Sequence, residues 1–302
     1  MQRLRSSVLA VVEIPCLAHI SGEAVKTRTA GRIEVKSTEK HKLSLEKSIF
    51  AALIPERFFI ELAYNGTAYH GWQVQPNALT VQECLDKALT TYFRQPVVSL
   101  GCGRTDTGVH AAEFFAHIDL LDVDEAKIAR SITSINSLLP YDIAVKSIFK
   151  VADNAHARFD ATSRTYQYHL HFHKDPFKLH RSWLYKGDLD VSAMNTAAEI
   201  IQQYTDFSCF SKSNTKTFTN NCTITKAFFE QQEDGLVFTI QADRFLRNMV
   251  RAIVGTLVRV GSREIAPAEI INIIESKNRS NAGQSVPACG LYLMHITYPF
   301  IK

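Results

Sequence analysis

The sequence predicts an α+β protein with a mostly antiparallel mixed sheet flanked by helices, and three observations carry that reading. Several short stretches alternate apolar and polar residues, as half-buried strands do. The turn dipeptides Asn65-Gly66 and Asp234-Gly235 stand beside such stretches, and dipeptides of this kind favour tight reversals. Helical periodicity appears between them, yet hairpin signals outnumber the crossover patterns that a parallel sheet needs. With 302 residues, 46% of them hydrophobic, the chain can bury one large core or two modest ones.

Residues 1–54 do not match the rest. The apolar run Val8–Val12 is interrupted by Glu13, which leaves it too short for a secretory segment, and Glu23 to Lys47 is polar and lysine-rich. This part reads as a poorly ordered extension. Structure becomes legible at Phe58, where Phe58, Ile60, Leu62 and Tyr64 share one face of a strand. Thr80 and Glu83 have the spacing of a capping box, and Val81, Leu85, Ala88, Leu89 and Tyr92 continue it as a helical stripe. Short apolar runs follow at Val97–Leu100 and Phe114–Ile118, then a helix over about Asp124–Ser134 and an extended return through "LLPYDIAVKSI".

In the second half, Tyr166, Tyr168, Leu170 and Phe172 alternate with Thr165, Gln167, His169, His171 and His173. Three histidines on one face could bind a metal. The face reads as solvated. A helix over Ser192–Tyr204 and a hairpin over Cys222–Ala242 follow. From about Arg244 to Val260 the pattern predicts a helix that is apolar nearly all round and therefore buried. Arg244, Arg247 and Arg251 would fall in one 60° sector of it, facing a cleft or buried carboxylates. Gly255, on the same side, would admit another backbone. A last helix near Pro267 and a strand in "GLYLMHITYPF" close the chain. The two parts, 55–155 and 156–302, are similar in size and read as two domains with a cleft between them.

The charge is informative in its placement. Residues 1–54 hold nine Lys or Arg against five Asp or Glu, which accounts for the whole net charge of +4. Residues 55–302 hold 25 of each sign, so a nucleic-acid surface must come from local clustering. The six cysteines form no C-x-x-C pair, which removes a zinc ribbon and a dithiol redox motif. Reduced thiols in a cytoplasm are the expected reading. No stretch approaches the ~18–20 apolar residues of a membrane-spanning helix.

"GCGRTDTGVHA", from Gly101 to Ala111, carries the chemical question. A glycine loop can cradle phosphate, but the Lys-Ser/Thr of a P-loop is absent. Asp106 could simply bond nearby backbone amides, as loop aspartates usually do. Or it could present a nucleophilic or basic carboxylate, with Arg104 nearby to keep it ionised. The residues alone do not separate these three. His70 and His110 read as structural hydrogen-bonding residues rather than catalytic ones.

A set of ordered blocks does separate them. "YNGTAYHGWQVQPNALTVQECL", "GCGRTDTGVHA", "HARFDATSRTYQY", "DFSCFSK", "FLRNMVRAIVGTLVRVG" and "GLYLMHITYP" together resemble the tRNA pseudouridine synthase A family over about residues 57–302. The second block departs from it at Cys102, where alanine is usual. The resemblance implies a pseudouridine-synthase-like fold of two similar halves around a central RNA-binding cleft. It implies a homodimer that isomerises uridine to pseudouridine at positions 38, 39 and 40 of the tRNA anticodon stem-loop, with neither cofactor nor metal. By the same resemblance Asp106 is the catalytic carboxylate. Arg104 occupies the space left by the flipped nucleotide, Tyr166 stacks on its base, Arg251 pairs with Asp106, and Leu291 packs against the base. Arg244 and Arg247 have weaker support, as phosphate ligands or as solubilising charge.

Overall fold

The computed structural model describes residues 55–212 and 218–301; the expected extension over 1–54 lies outside the described residues. The alternation around Phe58 becomes strand β1 (Glu56–Tyr64), which buries Phe58, Ile60, Leu62 and Tyr64. Its second face is covered as well. Phe59 is fully buried among Phe115, Phe149, Tyr298 and Phe300, with ring centroids 5.4 to 6.4 Å away. The residues after the last strand fold back over that face, which no local pattern announces.

Helix α1 (Val81–Phe93) starts where the capping box places it, with Glu83 N–H donating to Thr80 Oγ1 at 3.4 Å. Strands β2 (Leu100–Gly101) and β3 (His110–Leu120) flank the glycine loop. Helix α2 (Glu125–Leu138), capped by Asp124, outruns its expected end at Ser134 because Ile135 extends the buried stripe. Strand β4 (Ile143–Lys150) then pairs antiparallel with β1.

The second half contributes β5 (Ser163–His171), the short β6 (Trp183–Leu184) and α3 (Val191–Ile201). The hairpin β7 (Ile224–Gln232) and β8 (Gly235–Ala242) turns at Asp234-Gly235, as expected. Helices α4 (Met249–Gly261) and α5 (Glu269–Glu275) and strand β9 (Leu291–Thr297) complete it. Pro267 lies just ahead of α5, before the cap residue Ala268, rather than in its first turn.

All nine described strands join one sheet in the order β4-β1-β3-β9-β5-β8-β7, with β2 on β3 and β6 on β5. Pairing is antiparallel except between β3 and β9 and between β5 and β6. The C-terminal β9 is thus the seam, inserted between a strand of each half. Two buried clusters lie along the sheet. One combines β1, α1, β3, α2 and β4 with Leu293, Ile296 and Tyr298, and the other runs from Tyr168 to Leu291 and takes in Val109. Tyr166 packs against both.

Helix α4 is buried on eleven of its thirteen residues, as its all-round apolar pattern requires. A Cβ on Gly255 would lie 1.8 Å from the backbone oxygen of Gln284, so the close approach depends on glycine. Its start corrects the expected helix. Asn248 sits in the left-handed region (φ 66°), bonded through Nδ2 to Ser285 Oγ, and a helix cannot run through that conformation. Arg244 and Arg247 therefore precede α4, and the three arginines do not form a helical row.

The histidine face that begins on β5 is solvated only at its far end, where His173, just past the strand, is exposed. His171 is buried with Nδ1 3.0 Å from Ser182 Oγ, His169 packs edge-on to Tyr292, and His173 pairs with Asp234 at 2.6 Å. Among the described residues no group of three or more His, Cys, Asp or Glu is placed to hold a metal ion.

His117 on β3 is buried against Phe59, and its Nδ1 accepts the Ala157 N–H at 3.2 Å. A second proton would displace that bond. Burial pushes its pKa down to about 4, with Arg57 and His156 acting in the same direction and Asp119 and Asp160 against it. The folded protein therefore keeps His117 neutral while the unfolded chain takes up a proton below about pH 6.5. Stability from this group is full above that pH and is lost as pH falls towards 4, at no more than about 1.4 kcal/mol per pH unit. His117→Asn keeps an acceptor for Ala157 and removes the titration. Urea unfolding of both proteins between pH 7 and 4 is expected to show their stabilities converging as pH falls; parallel curves would refute the assignment.

Candidate active site

The glycine loop, residues 102–109, is fastened to its surroundings on several sides. Cys102 N–H donates to Phe115 O at 2.8 Å, Trp72 N–H to Thr105 O at 3.3 Å, and Gly108 N–H to Tyr69 O at 3.3 Å. Thr105 is buried, its hydroxyl 2.9 Å from Tyr64 Oη. Gly71 (φ +87°), in the loop after β1, approaches so closely that a Cβ there would meet Thr105 O at 2.3 Å. With Thr105 pinned inward, its neighbours Arg104 and Asp106 project from the loop, Arg104 exposed and Asp106 half-buried.

Asp106 opens a turn. Its backbone oxygen accepts the Val109 N–H at 3.1 Å, but among the described residues no backbone amide donates to its carboxylate. Instead the carboxylate faces two guanidinium groups. Arg247 Nε stands 3.6 Å from Oδ1, and Arg251 Nη1 stands 3.9 Å from Oδ2. Arg251 lies on the first turn of α4, and its Nε donates to Val286 O at 2.7 Å. The backbone returns the bond, with Val286 N–H donating to Arg251 O at 3.3 Å. The side chain is thus held from behind and presents its remaining N–H groups to Asp106. Arg247 is more exposed and arrives from the loop before the helix.

Tyr166 enters from β5, paired with Leu293 of β9 and Ile240 of β8 just past an irregularity in the β5–β9 register. Its ring meets Phe245 edge to face at 5.1 Å. Burial pushes its hydroxyl pKa well above the usual value, with a neighbouring Cys102 adding to the rise, Arg164 opposing it and the Asp106 carboxylate contributing. The hydroxyl therefore stays protonated at neutral pH, within the field of Asp106. Leu291, the first residue of β9, is buried opposite Tyr168 in the C-terminal core. Arg104 stands apart from this group. Its Nε donates to Gln73 Oε1 at 3.2 Å, and it forms no ion pair with Asp106.

Arg247, with the weaker support of the two in the sequence, lies nearer the carboxylate than Arg251. A further participant, Arg164, carries no signal in the sequence. Its guanidinium donates to the carbonyls of Ala161, Asp243, Arg158 and Cys102, at 2.8, 2.7, 2.6 and 3.4 Å. One side chain thereby ties the root of the glycine loop to the segment that carries Arg247. Arginine's forked, donor-only head suits such a hub of carbonyls. No local signal marks it, because all its acceptors are backbone.

His110 is structural here. Buried, it accepts the Gly66 N–H on Nδ1 at 3.1 Å, so Nε2 carries the proton towards the carbonyls of His180 and Cys289 at 3.1 and 3.2 Å. Burial lowers its pKa. The five described cysteines are free, and burial pushes the Cys102 thiol up to about 12. Among the described residues no helix is long and apolar enough to cross a membrane.

A half-buried carboxylate facing two guanidinium groups, with a protonated tyrosine within its field and an exposed arginine two residues away, suits chemistry on a polyanionic substrate. A family model described as tRNA pseudouridine synthase matches residues 203–299. A tRNA pseudouridine synthase A of Porphyromonas gingivalis is 51% identical over 245 residues, covering 80% of this chain and 97% of that protein. One from Bacteroides fragilis is 49% identical over 249 residues, covering 81% and 97%. One from Thermosipho melanesiensis is 38% identical over 248 residues, covering 80% and 100%. Likeness at this level along nearly the whole of each relative places the chain in the tRNA pseudouridine synthase A family.

Proposed function

We propose that this protein isomerises uridine to pseudouridine at positions 38, 39 and 40 of the tRNA anticodon stem-loop, with Asp106 as the reacting carboxylate. The observation that carries the reading is Asp106 on a pinned loop, its carboxylate facing Arg247 at 3.6 Å and Arg251 at 3.9 Å. The reaction breaks the N1–C1′ bond, turns the uracil and joins C5 to C1′, so no atom is gained or lost overall. A carboxylate next to C1′ is the group that glycosidases use on a comparable bond. Attack at C1′, removal of a C2′ proton and addition to C6 are all open to it.

A uridine stacked in a stem must leave the stack to be reached. In this reading Arg104 enters the vacated space, Tyr166 stacks on the flipped base and Leu291 packs against it. In the same reading the Tyr166 hydroxyl helps to move a proton at C5. Residues 55–155 supply Asp106 and Arg104, residues 156–302 supply Tyr166, Arg251 and Leu291, and the cleft between these two domains receives the RNA. The enzyme works in the cytoplasm as a homodimer, and the chemistry requires neither cofactor nor metal.

The test is tritium release from unmodified tRNA labelled at uridine C5, combined with mapping of the product. The C5 hydrogen leaves only when that carbon has joined the sugar. Release with pseudouridine at 38, 39 or 40 is the expected result. Binding of the tRNA without release would leave an RNA-binding protein of the same fold, and product at other positions would remove the assignment of site.

A further inference from the structure

We propose that Gln73 is a positioning residue for Arg104, aiming its guanidinium through a chain of side-chain amides that has a single polarity. The inference rests on the reading of Arg104 as the residue that enters the RNA. Arg104 Nε donates to Gln73 Oε1 at 3.2 Å, Gln73 Nε2 donates to Gln82 Oε1 at 3.2 Å, and Gln82 Nε2 donates to Ser99 O at 2.6 Å. Gln82 Oε1 also accepts the Val74 N–H at 3.1 Å. The two ends of this chain are chemically fixed, since a guanidinium only donates and a peptide carbonyl only accepts. Each carboxamide between them therefore has one permitted orientation. Turning either would set donor against donor, or oxygen against oxygen.

The base of the chain is rigid. Gln82 is buried in the first turn of α1, and its backbone N–H donates to Trp72 O at 3.0 Å. Trp72, fully packed, bonds through its own N–H to Thr105 O. The residue before Gln73 thus holds the residue after Arg104, so the exposed Gln73–Arg104 contact is bracketed by buried bonds. A neutral acceptor also suits the task. A carboxylate at position 73 would hold the guanidinium more strongly but would cancel the charge that attracts phosphate. An amide fixes Nε and leaves the four Nη hydrogens and the full charge for RNA.

Two single variants and their combination test this: Gln73→Met, Arg104→Ala and the double variant, in single-turnover tritium release on C5-labelled tRNA. Gln73→Met is expected to slow the reaction about tenfold alone and to change nothing further in the Arg104→Ala background, the coupling expected of groups in contact. Equal losses in both backgrounds would overturn the proposal, because a merely structural glutamine acts whether or not Arg104 is present. A second measurement needs no RNA. The Nε–H resonance of Arg104, identified by its absence from Arg104→Ala, is expected to exchange with water several-fold faster in Gln73→Met. An unchanged exchange rate likewise overturns the positioning role. Should wild type release no tritium, the enzymatic reading fails and the exchange measurement alone decides whether Gln73 holds Arg104.

Discussion

Asp106→Asn is expected to lower the single-turnover rate of pseudouridine formation by about 10⁴-fold or more, the scale on which an essential nucleophile or base acts. The substitution keeps the side chain's shape and removes its charge. Its effect on folding should be small, because the carboxylate is partly exposed and its contacts to Arg247 and Arg251, at 3.6 and 3.9 Å, are long for ion pairs. Unfolding free energy is expected to change by less than about 1 kcal/mol. Binding of tRNA should hold or tighten, since two guanidinium groups lose their internal counter-charge and become available to phosphate. This combination separates chemistry from scaffolding. Equal activity in the variant would return Asp106 to the role of a turn residue, and a large loss of stability would assign it to the fold.

The parts of this architecture that the sequence made legible are those built from neighbours. Thr80 and Glu83 lie three residues apart and make their cap within one turn, and Asp234-Gly235 turns a hairpin whose strands alternate on either side. Such features are decided by local backbone preferences, so spacing alone exposes them. The start of α4 was not legible for the opposite reason. Asn248 takes its left-handed conformation while bonded to Ser285, a residue 37 positions away, and no window around Arg244 contains that fact. The helix therefore begins beyond Arg244 and Arg247, at Met249.

The consequence for the site was mixed. Arg247 still reaches Asp106, but from the loop, whereas Arg244 donates its backbone N–H to Asp243 on the strand side of that loop. The burial of Phe59, the hub at Arg164 and the chain from Ser99 to Arg104 were hidden likewise. Each depends on segments joined by the sheet, and a sheet with its C-terminal strand inserted between its halves brings together residues that spacing cannot relate.

Arg251→Met is the second substitution with a large expected effect, and it tests how the carboxylate is aimed. The native guanidinium is anchored at Nε by Val286 O and turns Nη1 towards Asp106 Oδ2. Methionine preserves the apolar stem within the buried helix while removing both contacts. Asp106 would keep only Arg247, a more exposed partner on a loop, and would lose its fixed direction. Misplacement of a reacting group by about an ångström costs on the order of a hundredfold, so kcat is expected to fall by that factor with little change in KM. The orphaned Val286 carbonyl should lower stability by about 1–3 kcal/mol, which chemical unfolding would measure. Arg251→Lys is the informative companion, because a single ammonium cannot serve Val286 and Asp106 from the same fork. It should recover stability more than rate. A lysine variant with full activity would mean that charge alone suffices, and the geometry of the Arg251 anchor would then have no part in catalysis.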